Sequence, residues 1–108
     1  MHLLRFLGCV VFLSLVAPHT KAADNFAKDR LVAWCIVPFD AKKRGPAQRA
    51  QMLKRLGLKR VAYDWRAHHV KEFEEEILQY RKHGLEFFAF WSVHDEAFAL
   101  FEKYKLHP

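Results

Sequence analysis

The fold is decided by the stretch GLKRVAYDW, residues 57–65, because a similar stretch, GLEFFAFW, recurs at residues 84–91. In both copies a glycine and a leucine precede an apolar run with a central alanine, Ala62 or Ala89. Each copy follows a segment with the apolar spacing of a helix, so its glycine is expected to end that helix as a left-handed cap. The chain is therefore expected to repeat a helix–strand unit.

Strands are predicted at residues 31–39, 58–65 and 85–91. The first, LVAWCIVPF, is a run of apolar residues without helical spacing of polar positions, which indicates a strand buried on both faces. Because strands and helices alternate with short links, the expected fold class is α/β, with parallel strand–helix repeats and right-handed crossovers.

Each predicted helix buries one apolar face. The first starts at Pro46, the second follows residues 66–69, and the third is capped by Asp95. The charged residues of the second helix, Glu76 among them, are assigned to its solvated face, with acids near the start and bases near the end. The side chains expected to face inward are Ala50, Leu53 and Leu56 (or Met52 and Leu56), then Val70, Phe73, Ile77 and Tyr80, then Phe98, Phe101 and Tyr104.

Two architectures use this alternation, the closed barrel and the open doubly wound sheet. The open sheet with a nucleotide site would need a glycine-rich phosphate loop after the first strand, and residues 37–46 have no such spacing. The regular repeat favours the barrel, which needs eight units and roughly 200 residues or more. The chain is therefore expected to supply the first three βα units of an incomplete TIM barrel.

Residues 1–22 are predicted to be a signal peptide, because a positively charged start and a short apolar run lead to the small residues Thr20 and Ala22. A spanning helix is the competing interpretation, but the apolar run is shorter than the roughly 20 residues that a bilayer requires. The protein is thus expected to be exported to the periplasm or the extracellular space, without membrane attachment after cleavage. Residues 23–30 then form a flexible arm, and residues 31–108 form the partial barrel domain.

Charge and cysteine content indicate which partners and which kind of domain to expect. Cleavage would remove Arg5 and Lys21 and lower the net charge from +6 to +4, and the remaining basic residues are scattered, so no nucleic-acid partner is expected. It would also remove Cys9 and leave Cys35 alone, without an internal disulfide. Because small exported domains usually need such bridges, their absence favours a piece of a larger core.

Candidate functional residues lie at the carboxyl ends of the strands, where parallel barrels place their active sites. Side-chain alternation turns Ala62 and Asp64 towards the barrel interior and Trp65 towards the helices. An aspartate at the barrel mouth could hydrogen-bond sugar hydroxyls or act as an acid or base. The alternative is that Asp64 pairs with Arg66 or caps the following loop.

The same alternation places Ala33 and Cys35 inside on the first strand and turns Trp34 towards the helices. Trp91 then remains as the tryptophan that forms a pocket wall against a sugar ring. His68 and His69 are adjacent on a loop, whereas a metal site needs three or four converging ligands, so no metal is expected to bind this chain alone.

The segment 34–66, together with HGLEFFAFWSV at residues 83–93, resembles the N-terminal part of exported bacterial proteins of the sugar phosphate isomerase/epimerase group, the xylose isomerase-like TIM barrels. The resemblance extends over nearly the whole chain from about Leu31. It implies a barrel that binds a divalent metal (Mg, Mn or Zn) and moves a proton or hydride between neighbouring carbons of a sugar or sugar-like small molecule. The family's metal ligands come mainly from later strands, which have no counterpart here.

By position, the resemblance carries over three substrate-binding candidates, Asp64, Trp91 and His94. It implies a truncated sugar phosphate isomerase/epimerase-like protein that is inactive alone. Two alternatives stay open: a non-catalytic exported binding or assembly module, and the remnant of a barrel glycosidase, which would need a second carboxylate. The open hydrophobic sheet edges are expected to favour self-association.

Overall fold

The computed structural model describes residues 25–108, and the predicted signal peptide, residues 1–22, lies outside the described residues. Three strands alternate with three α-helices, which confirms the α/β class with parallel strand–helix repeats. Single stretches of 3-10 helix occupy Lys28–Arg30, within the predicted arm, and Ala67–Glu72. The elements are β1 (Val32–Trp34), α1 (Pro46–Leu56), β2 (Arg60–Asp64), α2 (Phe73–Lys82), β3 (Glu86–Trp91) and α3 (Asp95–Tyr104).

The sheet has the order β1-β2-β3, and both neighbouring pairs are parallel. The repeat in the sequence is reproduced from Ala62 onwards, since Ala62 pairs with Ala89 and Asp64 pairs with Trp91. Before that point the register shifts, because Val61 pairs with Phe87 and leaves Phe88 as an extra residue in β3. This bulge places Phe88 beside Ala89 on one face of the sheet.

The predicted glycine caps are confirmed. Gly57 and Gly84 have φ angles of 76° and 65°, in the left-handed region that glycine adopts without a side-chain clash. The following leucines close the turns in the same way, with the amide of Leu58 donating to Leu53 at 3.1 Å and that of Leu85 donating to Tyr80 at 2.8 Å. These bonds satisfy carbonyls that a helix end would otherwise leave without donors.

The hydrophobic core lies between the sheet and the helices, which all pack against one face. Tyr63 of β2 is buried at its centre, where its ring contacts Phe73, Phe87 and Phe90. The opposite face of the sheet has no covering element among residues 25–108. None of the helices in this part of the chain is long and apolar enough to cross a membrane.

The prediction for the first strand was wrong in the length of the strand and in the face of the sheet on which its side chains lie. Only Val32–Trp34 is extended, and the chain turns at Cys35, whose φ is 56°. Ala33 pairs with Val61 and Trp34 with Ala62, and paired residues of parallel strands face the same side. Ala33 therefore lies in the core, while Trp34 lies on the helix-free face and is 55% exposed.

The helical predictions hold at Ala50, Leu53, Phe73, Ile77, Tyr80 and Phe101, which are all buried. Leu56 and Phe98 were wrongly placed inside, because Leu56 lies in the last turn before Gly57 and both side chains are exposed. Glu76 was wrongly assigned to a solvated face and is fully buried. The third helix is flanked by His94 at its N-cap, so Asp95 is its first residue rather than its cap.

Candidate functional site

Asp64 ends β2 at the carboxyl edge of the sheet, and its side chain is 8% exposed. One guanidinium nitrogen of Arg66 donates to Oδ1 at 2.7 Å, and the Cys35 thiol lies 3.5 Å from Oδ2. The predicted pairing with Arg66 is therefore confirmed, and a substrate-binding role of Asp64 stays a prediction. The carboxylate is therefore held between a cation and a thiol rather than projecting freely.

Cys35 reaches Asp64 because its left-handed backbone turns the chain at the end of β1. Burial raises the pKa of the Cys35 thiol, and the hydrogen bond to Asp64 acts in the same direction. The thiol therefore stays protonated near neutral pH and donates to the carboxylate. This arrangement makes Cys35 a hydrogen-bond donor rather than a nucleophile.

Trp91 lies beside Asp64, on the same face of the sheet, because the two residues are paired across β2 and β3. Its ring is 5.5 Å from that of Trp34, and the two tryptophans border an apolar hollow of 350 Å³ on the helix-free face. The hollow is completed by Val32, Ala62, Tyr63, Phe88, Ala89 and Phe90. The structure thus brings Asp64 and Trp91 together at one edge of this face.

His94 lies on the other face of the sheet. Its ring packs edge-on against Trp65 at 4.6 Å and against Phe73 at 5.4 Å. Its Nδ1 is buried without a hydrogen-bond partner among the described residues. The structure therefore separates His94 from Asp64 and Trp91, and a substrate-binding role for all three in one pocket stays a prediction.

A second hollow, of 380 Å³, lies between the segment that links β1 to α1 and the 3-10 helix after β2. We call this hollow the rim cleft, because both segments follow the carboxyl ends of strands. Charged and histidine side chains dominate its lining, in contrast to the apolar hollow. The side chains concerned are Asp40, Lys43, Arg44, Arg49, His68, His69 and Glu72.

Asp40 organises the loop on one side of the rim cleft. Its carboxylate accepts hydrogen bonds from the amides of Lys42 and Arg44, at 3.0 and 2.9 Å, and from the Arg44 guanidinium at 2.5 Å. Burial opposes these contacts, but together they hold the pKa of Asp40 below its usual range. Asp40 therefore acts as a turn-forming anion with its acceptors already used.

Arg49 connects the rim cleft to the helices. It projects from α1, is 3% exposed, and donates to Glu76 at 2.5 Å, to Glu72 at 3.1 Å and to the carbonyl of Arg44. Burial would lower the pKa of Arg49, but the Glu76 carboxylate outweighs that effect and raises it. The guanidinium is consequently charged at all ordinary pH values and is fully engaged.

His69 forms the other wall of the rim cleft. Its Nδ1 accepts a hydrogen bond of 3.0 Å from the amide of Arg66, and the residue is 8% exposed. Burial lowers the pKa of His69, and the neighbouring His68 adds to that effect. The ring is therefore neutral near pH 7, with its proton on Nε2.

The described residues do not fit the divalent metal that the resemblance implies. Within residues 25–108 no three side chains of the His, Cys, Asp and Glu types converge on one point. Asp64 is the carboxylate nearest the predicted pocket, and it belongs to no such group of three. No step through a metal is therefore derived for this part of the chain.

The sequence reasoning missed Arg49 and Glu76, although a signal for them was present. Gly57 and Gly84 align the two helix–strand units, and the same alignment places Arg49 opposite Glu76. Each of the two charged residues also precedes a buried apolar residue, Ala50 or Ile77. Opposite charges at equivalent positions of neighbouring helices are the pattern that could have revealed the ion pair.

Comparison of the chain with protein-family models, with curated proteins and with solved structures found no match.

Proposed function

We propose that the three βα units belong to a xylose isomerase-like TIM barrel, and that the intact barrel is an exported isomerase or epimerase of sugar-like substrates. The observation that carries this proposal is the helix-free face of the sheet. Trp34, Phe88 and Trp91 are 55%, 46% and 60% exposed there, whereas the opposite face is covered by helices. In a closed parallel barrel the same face is turned inward and filled with side chains.

The position of Asp64 supports the same proposal. It lies on this face at the carboxyl edge of the sheet, where barrel enzymes hold their substrates. Its hydrogen bond from Arg66 holds the carboxylate in one orientation beside Trp91, where it could accept a hydrogen bond from a sugar hydroxyl. In this arrangement Asp64 orients a substrate hydroxyl, and Trp91 supplies a flat apolar surface for the sugar ring.

Sequencing the DNA immediately downstream tests the proposal. We expect a reading frame, in phase or shifted, that encodes further strand–helix units with Glu, Asp and His at strand ends. A downstream region that encodes no such unit in any frame would exclude the barrel. As a functional test, the purified chain is incubated with aldose and ketose phosphates and Mg²⁺ or Mn²⁺, and no turnover is expected.

The exposed tryptophan face also favours a second candidate, a non-catalytic module that completes its sheet with a partner chain. Exposed aromatic patches of this kind are typical of binding surfaces. Size-exclusion chromatography with light scattering separates the two candidates. A dedicated module forms one defined oligomer over a range of concentrations, whereas part of a barrel gives a broad, concentration-dependent distribution.

A further inference from the structure

The positive charge of the chain is concentrated in the segment that contains α1. Residues 41–59 contain seven basic residues and no acidic one, whereas the rest of residues 23–108 contains nine basic and twelve acidic residues. Two of the seven, Arg44 and Arg49, pair with carboxylates from outside the segment. The positive excess of the domain therefore belongs to this one segment, although its basic residues are scattered along the sequence.

A groove of 400 Å³ lies between the outer face of α1 and the loop that precedes the helix. Gln48, Gln51 and Arg55 are spaced by three and four residues, so they form one stripe along the helix. All three are exposed, and their stripe faces away from the buried side of α1. Lys42 and Arg44 of the preceding loop complete the lining of this groove, which we call the α1 groove.

Every charged side chain that lines the α1 groove is a cation. Lys42 and Arg55 are exposed, and neither forms an ion pair with any described residue. The third cation, Arg44, pairs with Asp40, which is not part of the lining. A ligand in this groove meets two cations whose charge is not balanced, so charge complementarity favours an anion.

The neutral side chains between these cations indicate which kind of anion fits. Gln48 and Gln51 can both donate hydrogen bonds to hydroxyl groups and accept them. The lining contains neither the aromatic rings on which single-stranded nucleic acids stack nor the apolar side chains that insert into a membrane surface. Duplex DNA carries a charge about every 1.7 Å, which calls for a denser row of cations. A uronic acid polymer has one carboxylate per sugar with hydroxyls between, which fits separated cations and intervening amides.

We propose that the α1 groove binds an acidic oligosaccharide or polysaccharide built of uronic acids. Lys42 and Arg55 donate hydrogen bonds to carboxylates of the ligand, and Gln48 and Gln51 form hydrogen bonds with its hydroxyls. The volume of 400 Å³ lies in the range of small-molecule sites, so the groove holds a short stretch of such a chain. This inference goes beyond the proposed function, because the outer face of a barrel helix stays exposed when the barrel closes.

The test is isothermal titration calorimetry of the full chain at constant ionic strength. The probe is a hexamer of galacturonate, compared with a neutral hexamer of glucose, with hexathymidylate and with vesicles of phosphatidylglycerol and phosphatidylcholine. We expect the galacturonate hexamer to bind at least about tenfold more tightly than each of the other three. In ¹H–¹⁵N NMR spectra it should also shift the side-chain amide signals of Gln48 and Gln51.

Two double variants test the contacts. Lys42→Gln, Arg55→Gln should weaken galacturonate binding by about tenfold or more, because two hydrogen bonds between charged groups are lost. Gln48→Glu, Gln51→Glu keeps the size of both side chains, and the new carboxylate at position 51 lies four residues before Arg55, which supports the helix. This variant should melt at or above the temperature of the parent, yet bind at least about tenfold more weakly, because it repels the carboxylates of the ligand.

Lys71→Gln, Lys82→Gln is the matched control. It removes the same net charge from two exposed residues outside the groove and should leave the affinity nearly unchanged. The proposal is overturned if the galacturonate hexamer does not bind, if Lys42→Gln, Arg55→Gln binds as the parent does, or if the control loses as much affinity. Equal or tighter binding of the neutral hexamer, hexathymidylate or the vesicles would overturn the assignment to an acidic polysaccharide.

Discussion

Gly57 and Gly45 flank the same helix, but their backbones differ in what they tolerate. Gly57 has φ of 76°, whereas Gly45 is extended with φ of −77°. A β-carbon at Gly57 would meet the Lys28 side chain only at an ordinary distance of 3.5 Å, so the backbone conformation rather than crowding decides the effect of a substitution there.

We therefore expect Gly57→Ala to lower the free energy of unfolding by roughly 1 to 2 kcal/mol, the cost of a left-handed residue with a side chain. Gly45→Ala, the matched control, should change it far less. Urea denaturation followed by circular dichroism measures the free energy of unfolding of both variants. Equal losses in the two variants would show that φ does not determine the effect.

His69 is expected to make the stability of the protein depend on pH through the protonation of one ring. Burial lowers its folded-state pKa below the ordinary value of 6.5, so the unfolded chain takes up this proton first as the pH falls. The contribution of the neutral His69 ring to the free energy of unfolding should therefore be complete above that pKa and should decline as the pH drops below it.

Urea denaturation between about pH 7.5 and about pH 5 measures this decline. The variant His69→Phe keeps a ring of similar size but cannot be protonated, so it should lose less stability over the same range. Parallel profiles for the two proteins would assign the decline to other groups.

At the scale of elements, helices α1 and α2 are joined by the buried pair of Arg49 and Glu76. Burial raises the pKa of Glu76, and the adjacent guanidinium opposes that effect. Glu76→Leu should destabilise the fold by about 3 to 5 kcal/mol, because it removes the main partner of a buried cation. The double variant Arg49→Met, Glu76→Leu should recover much of that loss.

Thermal and urea denaturation of the parent and the two variants checks this expectation. The exposed pair of Lys103 and Glu74, at 2.6 Å, provides the control. Lys103→Met should leave the free energy of unfolding nearly unchanged, since solvent already screens that pair. A double variant less stable than the single Glu76→Leu would refute the buried-charge explanation.

The sequence predicted the elements well where periodicity alone decides them. The two Gly-Leu-strand copies established the α/β class and both glycine caps, because a left-handed helix end and an apolar run are local properties. Trp34 was placed on the wrong face because the side on which a short strand's residues lie depends on its register with β2, which is a non-local property. The burial of Glu76 was not predicted, because a charge is buried only when a partner such as Arg49 lies opposite, and that partner is on another helix.

The same distinction applies to the candidate site. Asp64 and Trp91 could be placed at one edge because the repeat aligns the ends of β2 and β3. His94 was grouped with them by its position after β3, but it follows Ser92, whose φ of 77° redirects the chain towards the helix side. The rim cleft was not predicted at all, since it joins loops that have no periodic pattern.

For the whole molecule, the exposed tryptophans of the helix-free face should determine its behaviour in solution. The double substitution Trp34→Thr, Trp91→Thr removes most of that aromatic surface from strand positions where threonine is well tolerated. We expect weaker binding of a hydrophobic dye and a smaller apparent mass at high concentration. Light scattering and dye fluorescence measure both.

Leu56→Gln is the control, because Leu56 is 51% exposed at the end of α1, away from the strands. This substitution should leave dye binding and apparent mass nearly unchanged. An equal effect of the two variants would mean that the helix-free face has no special role in association.

The three-way engagement of Arg49 also has a consequence for local motion. One guanidinium joins the loop at Arg44, the 3-10 helix at Glu72 and helix α2 at Glu76. Opening the loop removes the hydrogen bond from this buried guanidinium to the Arg44 carbonyl, so the loop amides should exchange with solvent together with those of the two helices as one cooperative unit. The β1 end at Trp34, which lacks such an anchor, should exchange earlier and independently.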